Sequence, residues 1–275
     1  MMLGLLGLPS ISAQGNNNNI YFENDYIAIR VTGNQNVPMF QFWRPTDDAT
    51  LNETTRYQIK FIKLFEYIDT DGDNIYNPEN ESKVPASTDA LASLSWDFTE
   101  IITDDANVSH FNMTSLGRDY TIQFRNHFDP STASIKFDIV LEEYTFISDD
   151  ENAALVLGFH LITVNQEMVQ EQNQIRFGNQ GYFEVEPEAI AEGNETVEVG
   201  LSNGEENDQS MAFIAFPRFE GKLVHDPTMG FLTEEFDPSD IESDDSDDTV
   251  PGYTGIALGF VALVSILTLI HKNRK

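Results

Sequence analysis

The segment Asp69–Glu81 (DTDGDNIYNPENE) is the part of the sequence with the clearest potential for chemistry. Acids at its relative positions 1, 3 and 5 allow a tight loop to point the carboxylates of Asp69, Asp71 and Asp73 inward, and the carbonyl of Ile75 falls at position 7. Ca²⁺ takes about six to eight hard oxygen ligands from flexible loops. The segment therefore predicts a structural calcium site between strands, with an ordinary acidic surface turn as the alternative.

This spacing resembles the EF-hand-type calcium loop and the related Asp-rich loops of extracellular proteins. Position 6 is Asn74 in place of glycine, and asparagine tolerates the left-handed conformation that the position requires. Position 12 is Asn80 in place of the bidentate glutamate, so Glu79 or Glu81 has to supply that carboxylate. Asn77 is expected to contribute a further oxygen ligand.

Two other groups of residues indicate contact with the extracellular medium. Asn-x-Ser/Thr sequons, which are glycosylated in exported chains, occur at Asn52, Asn80, Asn107, Asn112 and Asn194. An unmodified loop asparagine is the alternative at each of these positions. Trp43 and Trp96 offer flat faces for stacking on sugars, but both lie in strand-like runs with apolar neighbours, which favours core packing.

Composition excludes several classes of function. The 275 residues carry 46 acids against 15 Lys and Arg, a formal charge of −31 that repels nucleic acid. The chain has no cysteine, which excludes disulfides, thiolate zinc sites and a cysteine nucleophile. Its histidines show no HxH or HExxH spacing, and no Gly-x-Ser-x-Gly, P-loop or Rossmann fingerprint occurs, so we expect a protein that is not an enzyme.

Residues 20–232 alternate with a period of two and contain turn clusters rich in Asn, Asp, Gly and Pro. This pattern predicts an all-β domain, a β-sandwich of the jelly-roll or immunoglobulin-like kind. Ile135–Phe146 and Ala153–Val164 flank the turn signal at 149–152 and are expected to be adjacent strands. One helix is predicted, at Val164–Gln174.

The C-terminal region predicts a membrane anchor. Gly252–Ile270 contains 19 residues without a charge, enough for a helix of about 28 Å, close to the thickness of the hydrocarbon core of a bilayer. We expect a transmembrane helix at 251–271, followed by a basic end at 272–275 that lies in the cytoplasm. The preceding residues 233–250 are strongly acidic and predict a solvated stalk.

The tail resembles the C-terminal sorting signals of archaeal cell-surface proteins of the PGF type. Pro251, Gly252 and Tyr253 carry this resemblance, and the acidic stretch before them and the basic end extend it to the form seen in Lokiarchaeal and related proteins. The resemblance implies export, anchoring and processing by an archaeosortase-like enzyme. Residues 1–13 have the apolar run and small-x-small end of a truncated signal peptide, which agrees with export.

Together these features predict a single-pass protein of the cell membrane, with its calcium-stabilised β-sandwich outside the cell. Recognition, adhesion or envelope structure is the expected function, and the expected partners are cell-surface glycans or proteins. A carbohydrate-binding module or a glycan-active surface enzyme is a second hypothesis for the function. A surface-layer structural subunit is a third hypothesis.

Overall fold

The computed structural model describes residues 14–16, 19–33, 37–45, 56–163, 168–178, 180–206 and 209–232. They all belong to one compact unit, Met1–Pro238. Within these residues the regular structure is β-strand with two short 3₁₀ turns and no α-helix, so the predicted all-β class is confirmed.

Several predicted segments lie outside the described residues: 1–13, 233–250, 251–271 and 272–275. No helix with the length and apolarity needed to cross a bilayer occurs in the part of the chain that the structure describes.

The strands are short, apart from one of twelve residues. In chain order they are β1 Gln14–Asn16, β2 Asn19–Glu23, β3 Ala28–Thr32, β4 Met39–Trp43, β5 Tyr57–Ile68, β6 Asp89–Ala90, β7 Ser95–Phe98, β8 Ile102–Thr103, β9 Ser109–Leu116, β10 Thr121–Phe128, β11 Ser134–Glu142, β12 Ala153–Ile162, β13 Met168–Glu171, β14 Gln174–Phe177, β15 Gly181–Glu184, β16 Glu188–Ala191, β17 Thr196–Glu198, β18 Gly200–Glu206, β19 Gln209–Phe216, β20 Lys222–His225 and β21 Thr228–Phe231.

The described strands form two antiparallel sheets. The first sheet has the order β1-β2-β3-β4-β5-β12-β19-β18, with β6 added beside β5. The second has the order β13-β14-β15-β21-β11-β10-β9-β7, with β8 beside β9 and with β20 linking β11 to β16 and β17. The first sheet opens with a meander of five strands, β1 to β5, and the two sheets together fit the predicted β-sandwich.

The core between the sheets is built from the inward-facing residues of alternating strands. In β10, Ile122, Phe124 and Phe128 are buried while their neighbours are partly exposed, which is the period-two pattern of a strand with one solvated face. Phe61 of the first sheet meets Phe124 of the second with ring centroids 4.7 Å apart. Each fully buried phenylalanine contributes about 1.5–3 kcal/mol, so these rings dominate the cohesion of the two sheets.

Two sequence predictions are wrong in this region. β11 and β12 are not adjacent strands, because β11 lies in the second sheet and β12 in the first. The predicted helix at Val164–Gln174 is replaced, over its described residues, by β13 and the start of β14. Gln172 has a φ of 50°, outside the helical range, and turns the chain between these two strands. Met168 of β13 packs against the core between the sheets.

The connection from β11 to β12 is fixed by a buried carboxylate, Glu66 of β5. One oxygen of Glu66 accepts hydrogen bonds from the Tyr144 hydroxyl (3.0 Å) and the Ile147 amide (2.7 Å), and the other accepts from the Ser148 amide (3.0 Å). A charge in the core is tolerated only when such donors replace water, so Glu66 holds the segment that crosses between the sheets.

Glu66→Ala is expected to lower the free energy of unfolding by about 2–5 kcal/mol, because it leaves one buried hydroxyl and two amides without a hydrogen-bond acceptor. Glu66→Gln retains one acceptor oxygen and should cost less. Urea unfolding measures both, with the exposed Glu151→Ala as control, for which the change should stay within about 0.5 kcal/mol. Equal effects of Glu66→Ala and Glu151→Ala would contradict this role.

Candidate metal centre

The acidic loop, Asp69–Glu81, begins directly after β5, and residues 82–90 bring the chain back alongside the same strand. The Val84 amide donates to the Glu66 carbonyl (2.8 Å), the Glu66 amide donates to Ser87 Oγ (2.9 Å), and β6 pairs with Lys63 and Leu64. The loop is therefore closed at its base by the half of β5 that β4 does not pair.

A second, smaller apolar cluster lies beneath the acidic loop, separate from the core between the sheets. Its members come from β5, β12, β19 and the loop: Phe65, Tyr67, Tyr76, Ala154, Val156, Met211, Phe213 and Ala215. Tyr76 is the loop residue among them, and its ring centroid lies 5.0 Å from that of Phe65 and 5.1 Å from that of Phe213. The acidic loop is thus the cover of a hydrophobic surface on the first sheet.

The loop turns around the carboxylate of Asp69. Its two oxygens accept hydrogen bonds from the amides of Gly72 (2.8 Å) and Asn74 (3.1 Å). Gly72 and Asn74 have φ values of 78° and 57°, the left-handed conformation predicted for Asn74. The loop also packs tightly on β18, because a Cβ atom on Gly200 would overlap the Asn74 carbonyl oxygen, and Ser202 Oγ donates to the Tyr76 carbonyl (2.7 Å).

Three carboxylates converge at the base of the loop. Oxygens of Asp69, Asp71 and Glu81 all lie within 4.8 Å of one another, and Asp69 and Glu81 are 7% exposed. Glu81 is held in place by the amides of Thr70 (3.2 Å) and Asn77 (2.8 Å), one on each oxygen. This acidic triad could hold a metal ion, with the remaining lone pairs of the carboxylates as ligands.

The other predicted ligands have different positions. Asp73 accepts a hydrogen bond from the Ile75 amide (2.7 Å), and the Asn77 side chain accepts one from the Glu79 amide (3.0 Å), so both side chains shape turns of the loop. Glu79 is exposed and does not belong to the triad. Of the two candidates for the missing position-12 carboxylate, the structure brings Glu81 to the cluster.

The acids of the loop perturb each other and their neighbours. Burial raises the pKa of Glu81 to about 7, although the hydrogen bonds from the amides of Asn77 and Thr70 act in the opposite direction. The charges of Asp69 and Asp71 add to the rise. Burial also raises the pKa of Asp73, and burial together with the charges of the acids raises the pKa of Tyr67. The ionised form of Glu81 is therefore less favourable in the folded loop than in water.

The remaining predicted sites are dispersed over the surface and the core. Asn80, Asn107 and Asn194 are exposed, Asn112 is partly exposed on β9, and Asn52 lies outside the described residues. Trp96 belongs to the core between the sheets, as its neighbours in the sequence favour. The sorting motif Pro251, Gly252 and Tyr253 also lies outside the described residues.

Trp43 is buried on the other face of the first sheet. Its ring lies 5.9 Å from that of Tyr21, and the guanidinium carbons of Arg30 and Arg56 lie 6.0 and 5.5 Å from its centroid. Since both tryptophans are 7% exposed, neither indole presents a face on which a sugar ring could stack.

The sequence did not reveal a contact between His110 of β9 and His127 of β10. They are 17 positions apart and face each other only because of the register in which the two strands pair. The signal that could have found them is the alternation of both strands, which places both histidines on the outer face. His160 is half-buried on β12, and His225 is buried at the end of β20, where its Nε2 lies 2.8 Å from the Glu186 carbonyl.

No protein-family model matches the chain, and no curated protein matches it. Among solved structures, it is similar to a heparinase III gene product, with a TM-score of 0.38 and 7% identity over 84% of this chain and 40% of that one. The same protein with methylated lysines gives 0.37 and 6% over 83% and 37%. A chain described as a kojibiose phosphorylase from the human microbiome gives 0.30 and 11% over 82% and 33%. The chain spans two fifths or less of these structures, and scores of this size support no argument about function.

The raised pKa of Glu81 gives the metal-free loop a defined pH dependence. The folded-state pKa of about 7 lies above the reference value of 4.5, so the folded chain binds the proton more tightly. The stability contributed by the protonated carboxyl is present at low pH and is lost as pH rises through 7.

In EDTA, we expect the free energy of unfolding to fall more between pH 6 and pH 8 in the wild type than in Glu81→Gln, which cannot ionise. Urea unfolding at the two pH values measures this, and the exposed neighbour Glu79→Gln is the matched control that should keep the wild-type slope. An identical slope in wild type and Glu81→Gln would show that Glu81 is already ionised well below pH 7.

Proposed function

We propose that this chain is a cell-surface protein in which a calcium-stabilised β-sandwich is presented to the medium on an acidic stalk and a C-terminal membrane helix. Its role is recognition, adhesion or envelope structure, without catalysis. The observation that carries this proposal is the partly buried triad of Asp69, Asp71 and Glu81 at the base of a loop that also covers a hydrophobic cluster.

The donor set favours calcium over other metals. All three side chains offer carboxylate oxygens, which suit hard cations, whereas soft thiolates are absent from the sequence. Oxygens on opposite sides of one Ca²⁺ ion lie about 4.8 Å apart at Ca–O distances of about 2.4 Å, so the triad fits within one coordination shell. Loop carbonyls and water would complete that shell. Mg²⁺ demands a smaller octahedron and gives up its water reluctantly.

The role of the ion is structural in this proposal. Neutralising the triad removes the repulsion within the loop, and the loop in turn holds Tyr76 over the second apolar cluster. Calcium is available outside cells, where an exported domain would meet it. The formal charge of −31 also keeps such a domain solvated and separate from its neighbours.

The C-terminal sequence supports the location of the domain. The uncharged segment 252–270, flanked by acids before it and bases after it, has the pattern of a single-pass anchor with its C-terminus in the cytoplasm. The resemblance to archaeal sorting signals supports attachment at the cell surface and processing by an archaeosortase-like enzyme. The burial of both tryptophans removes the feature that favoured a glycan-binding module.

Calcium is expected to raise the thermal unfolding temperature of the full chain in detergent. At a concentration about 100 times Kd, a ligand adds about 2.7 kcal/mol to stability, which corresponds to roughly 5–10 °C for a domain of this size. The comparison uses CaCl₂, MgCl₂ and EDTA, and Mg²⁺ should give the smaller increase.

Asp71→Asn is expected to abolish the increase, because Asp71 is exposed and its replacement removes a ligand without opening the core. Asp105→Asn, which removes another exposed acid from a different turn, should retain the full increase. Unchanged melting of the wild type in Ca²⁺ and in EDTA would overturn the calcium assignment and leave the fold unaffected.

The anchor is tested by fractionation of cells that express the full chain. The wild type should sediment with membranes and resist an alkaline carbonate wash. Val261→Asp combined with Val264→Asp should release the protein, because each charge at the centre of a helix costs about 2.5–3.5 kcal/mol on insertion. Val261→Ile combined with Val264→Ile is the matched control. A freely soluble wild-type chain would overturn this part of the proposal.

A further inference from the structure

A pair of histidines on the outer face of the second sheet forms a compact polar cluster that the calcium loop does not involve. His110 of β9 and His127 of β10 are directly opposite each other in the register of the two strands. Both flanking residues of each histidine are buried, so both imidazoles project from the face that points away from the core. Their Nδ1 atoms are 2.7 Å apart, and the rings are close to perpendicular, at 71°.

Each imidazole is oriented by a carboxylate on its other nitrogen. His110 Nε2 lies 3.0 Å from Asp104 Oδ2, and His127 Nε2 lies 3.3 Å from Asp138 Oδ1. The cluster is therefore a continuous row of four side chains, carboxylate–imidazole–imidazole–carboxylate, with the two Nδ1 atoms at its centre.

The two central nitrogens face each other at hydrogen-bond distance. Asp104 only accepts hydrogen bonds, so His110 Nε2 carries hydrogen. A neutral His110 then presents the lone pair of its Nδ1 to His127 Nδ1, which lies 2.7 Å away. Either a proton on His127 Nδ1 or a metal ion bound by both nitrogens satisfies this contact.

We propose that the two Nδ1 atoms of His110 and His127 form a chelating site for a late first-row divalent metal ion, with Cu²⁺ and Ni²⁺ as the best fit. Histidines that bind metals usually have a carboxylate on their second nitrogen. Here His110 Nε2 is at hydrogen-bond distance from Asp104, and His127 Nε2 is at ion-pair distance from Asp138. Neutral imidazole nitrogen is a ligand that these metals prefer and that Ca²⁺ does not.

The spacing of the nitrogens selects the geometry. With metal–nitrogen bonds of about 2.05 Å, the two nitrogens are about 2.9 Å apart at a 90° angle and about 3.3 Å apart at the tetrahedral angle. The observed 2.7 Å is closer to the first value, which is that of the square-planar or tetragonal sites of Cu²⁺ and Ni²⁺. Water or a partner's ligand would take the other positions.

The surroundings prepare the site for a cation. Asp104 is fixed by its own turn, where Oδ1 accepts the amides of Ala106 and Val108 (both 2.9 Å) and leaves Oδ2 for His110. One oxygen of Asp104 is therefore held by its turn, and the other faces His110.

The basic residues nearest the pair are partly neutralised. Lys136 is opposite His127 on β11, and its Nζ lies 3.0 Å from Asp226. Arg125, two residues before His127, donates to Gln123 and is opposite Asp138.

The test is Cu²⁺ binding by the full chain in detergent with saturating Ca²⁺, which occupies the oxygen ligands of the acidic loop if the proposed calcium site exists. We expect one equivalent of Cu²⁺ bound with the electron paramagnetic resonance pattern of two equivalent nitrogens. His110→Gln and His127→Gln should each lose this pattern. Asp104→Asn and Asp138→Asn should retain it and weaken binding by about 10- to 100-fold, the effect of losing a carboxylate that orients a ligating histidine.

His160→Gln is the matched control, since it removes another half-buried strand histidine far from the pair in sequence, and it should bind Cu²⁺ like the wild type. The melting temperature of each variant in EDTA separates loss of the site from loss of the fold. A wild type that binds no Cu²⁺ with two nitrogens, or a His110→Gln/His127→Gln double variant that keeps the signal, would overturn the proposal; a proton on His127 Nδ1 would then be the occupant.

Discussion

Strand β5 is buried on both faces beyond its midpoint, and this constraint organises the first sheet. A bulge where β5 pairs with Gly158 and Phe159 of β12 places Leu64 toward the second sheet and Phe65 and Tyr67 toward the opposite side. One face is covered by the sandwich, whereas the other would expose two large aromatic rings to water. Burying an aromatic side chain is favourable by about 1.5–3 kcal/mol, so a cover is needed, and the acidic loop with Tyr76 supplies it.

The acidic loop contains carboxylates whose burial opposes the packing of the loop on the second apolar cluster. The pKa of Glu81 rises from 4.5 to about 7, so the cost of burying its ionised form opposes the gain from burying Tyr76. Positive charge in the triad would remove this opposition. A proton or a divalent cation can supply the missing positive charge, and only the cation also leaves all three carboxylates ionised.

The strand pattern was largely predictable, because alternation reports local burial. The period-two pattern predicted for residues 20–232 appears in β10, where Ile122 and Phe124 are buried between partly exposed neighbours. In β5, Leu64 belongs to the core between the sheets and Phe65 belongs to the cluster on the other face. Pairing was not predictable in the same way. Ile135–Phe146 and Ala153–Val164 have a turn signal between them, yet β11 pairs with β10, β20 and β21, and β12 pairs with β5 and β19. The buried Glu66 that anchors the crossover has no feature in the sequence that distinguishes it from the other acids.

In the two candidate sites, the residues of a single loop were also easier to predict than the residues that strand pairing brings together. Asp69 and Asp71 were predicted because residues close together in one tight loop are also close together in space. Glu81 replaced the expected position-12 ligand because residues 82–90 pair back onto β5 and set where the loop ends. The histidine pair was not predicted, because it depends on the register in which β9 and β10 pair and the sequence spacing does not determine that register.

The carboxylate triad and the histidine pair both lie on outer faces of the sandwich. The triad joins the two ends of the acidic loop, which leaves β5 at Asp69, and Asp104 joins the turn after β8 to His110 of β9. Their chemistry differs, since one offers oxygens alone and the other offers imidazole nitrogens backed by carboxylates. The inner faces are filled by aromatic rings that exclude ions, so the outer faces are where a chain with a net charge of −31 can use cations to fix its loops.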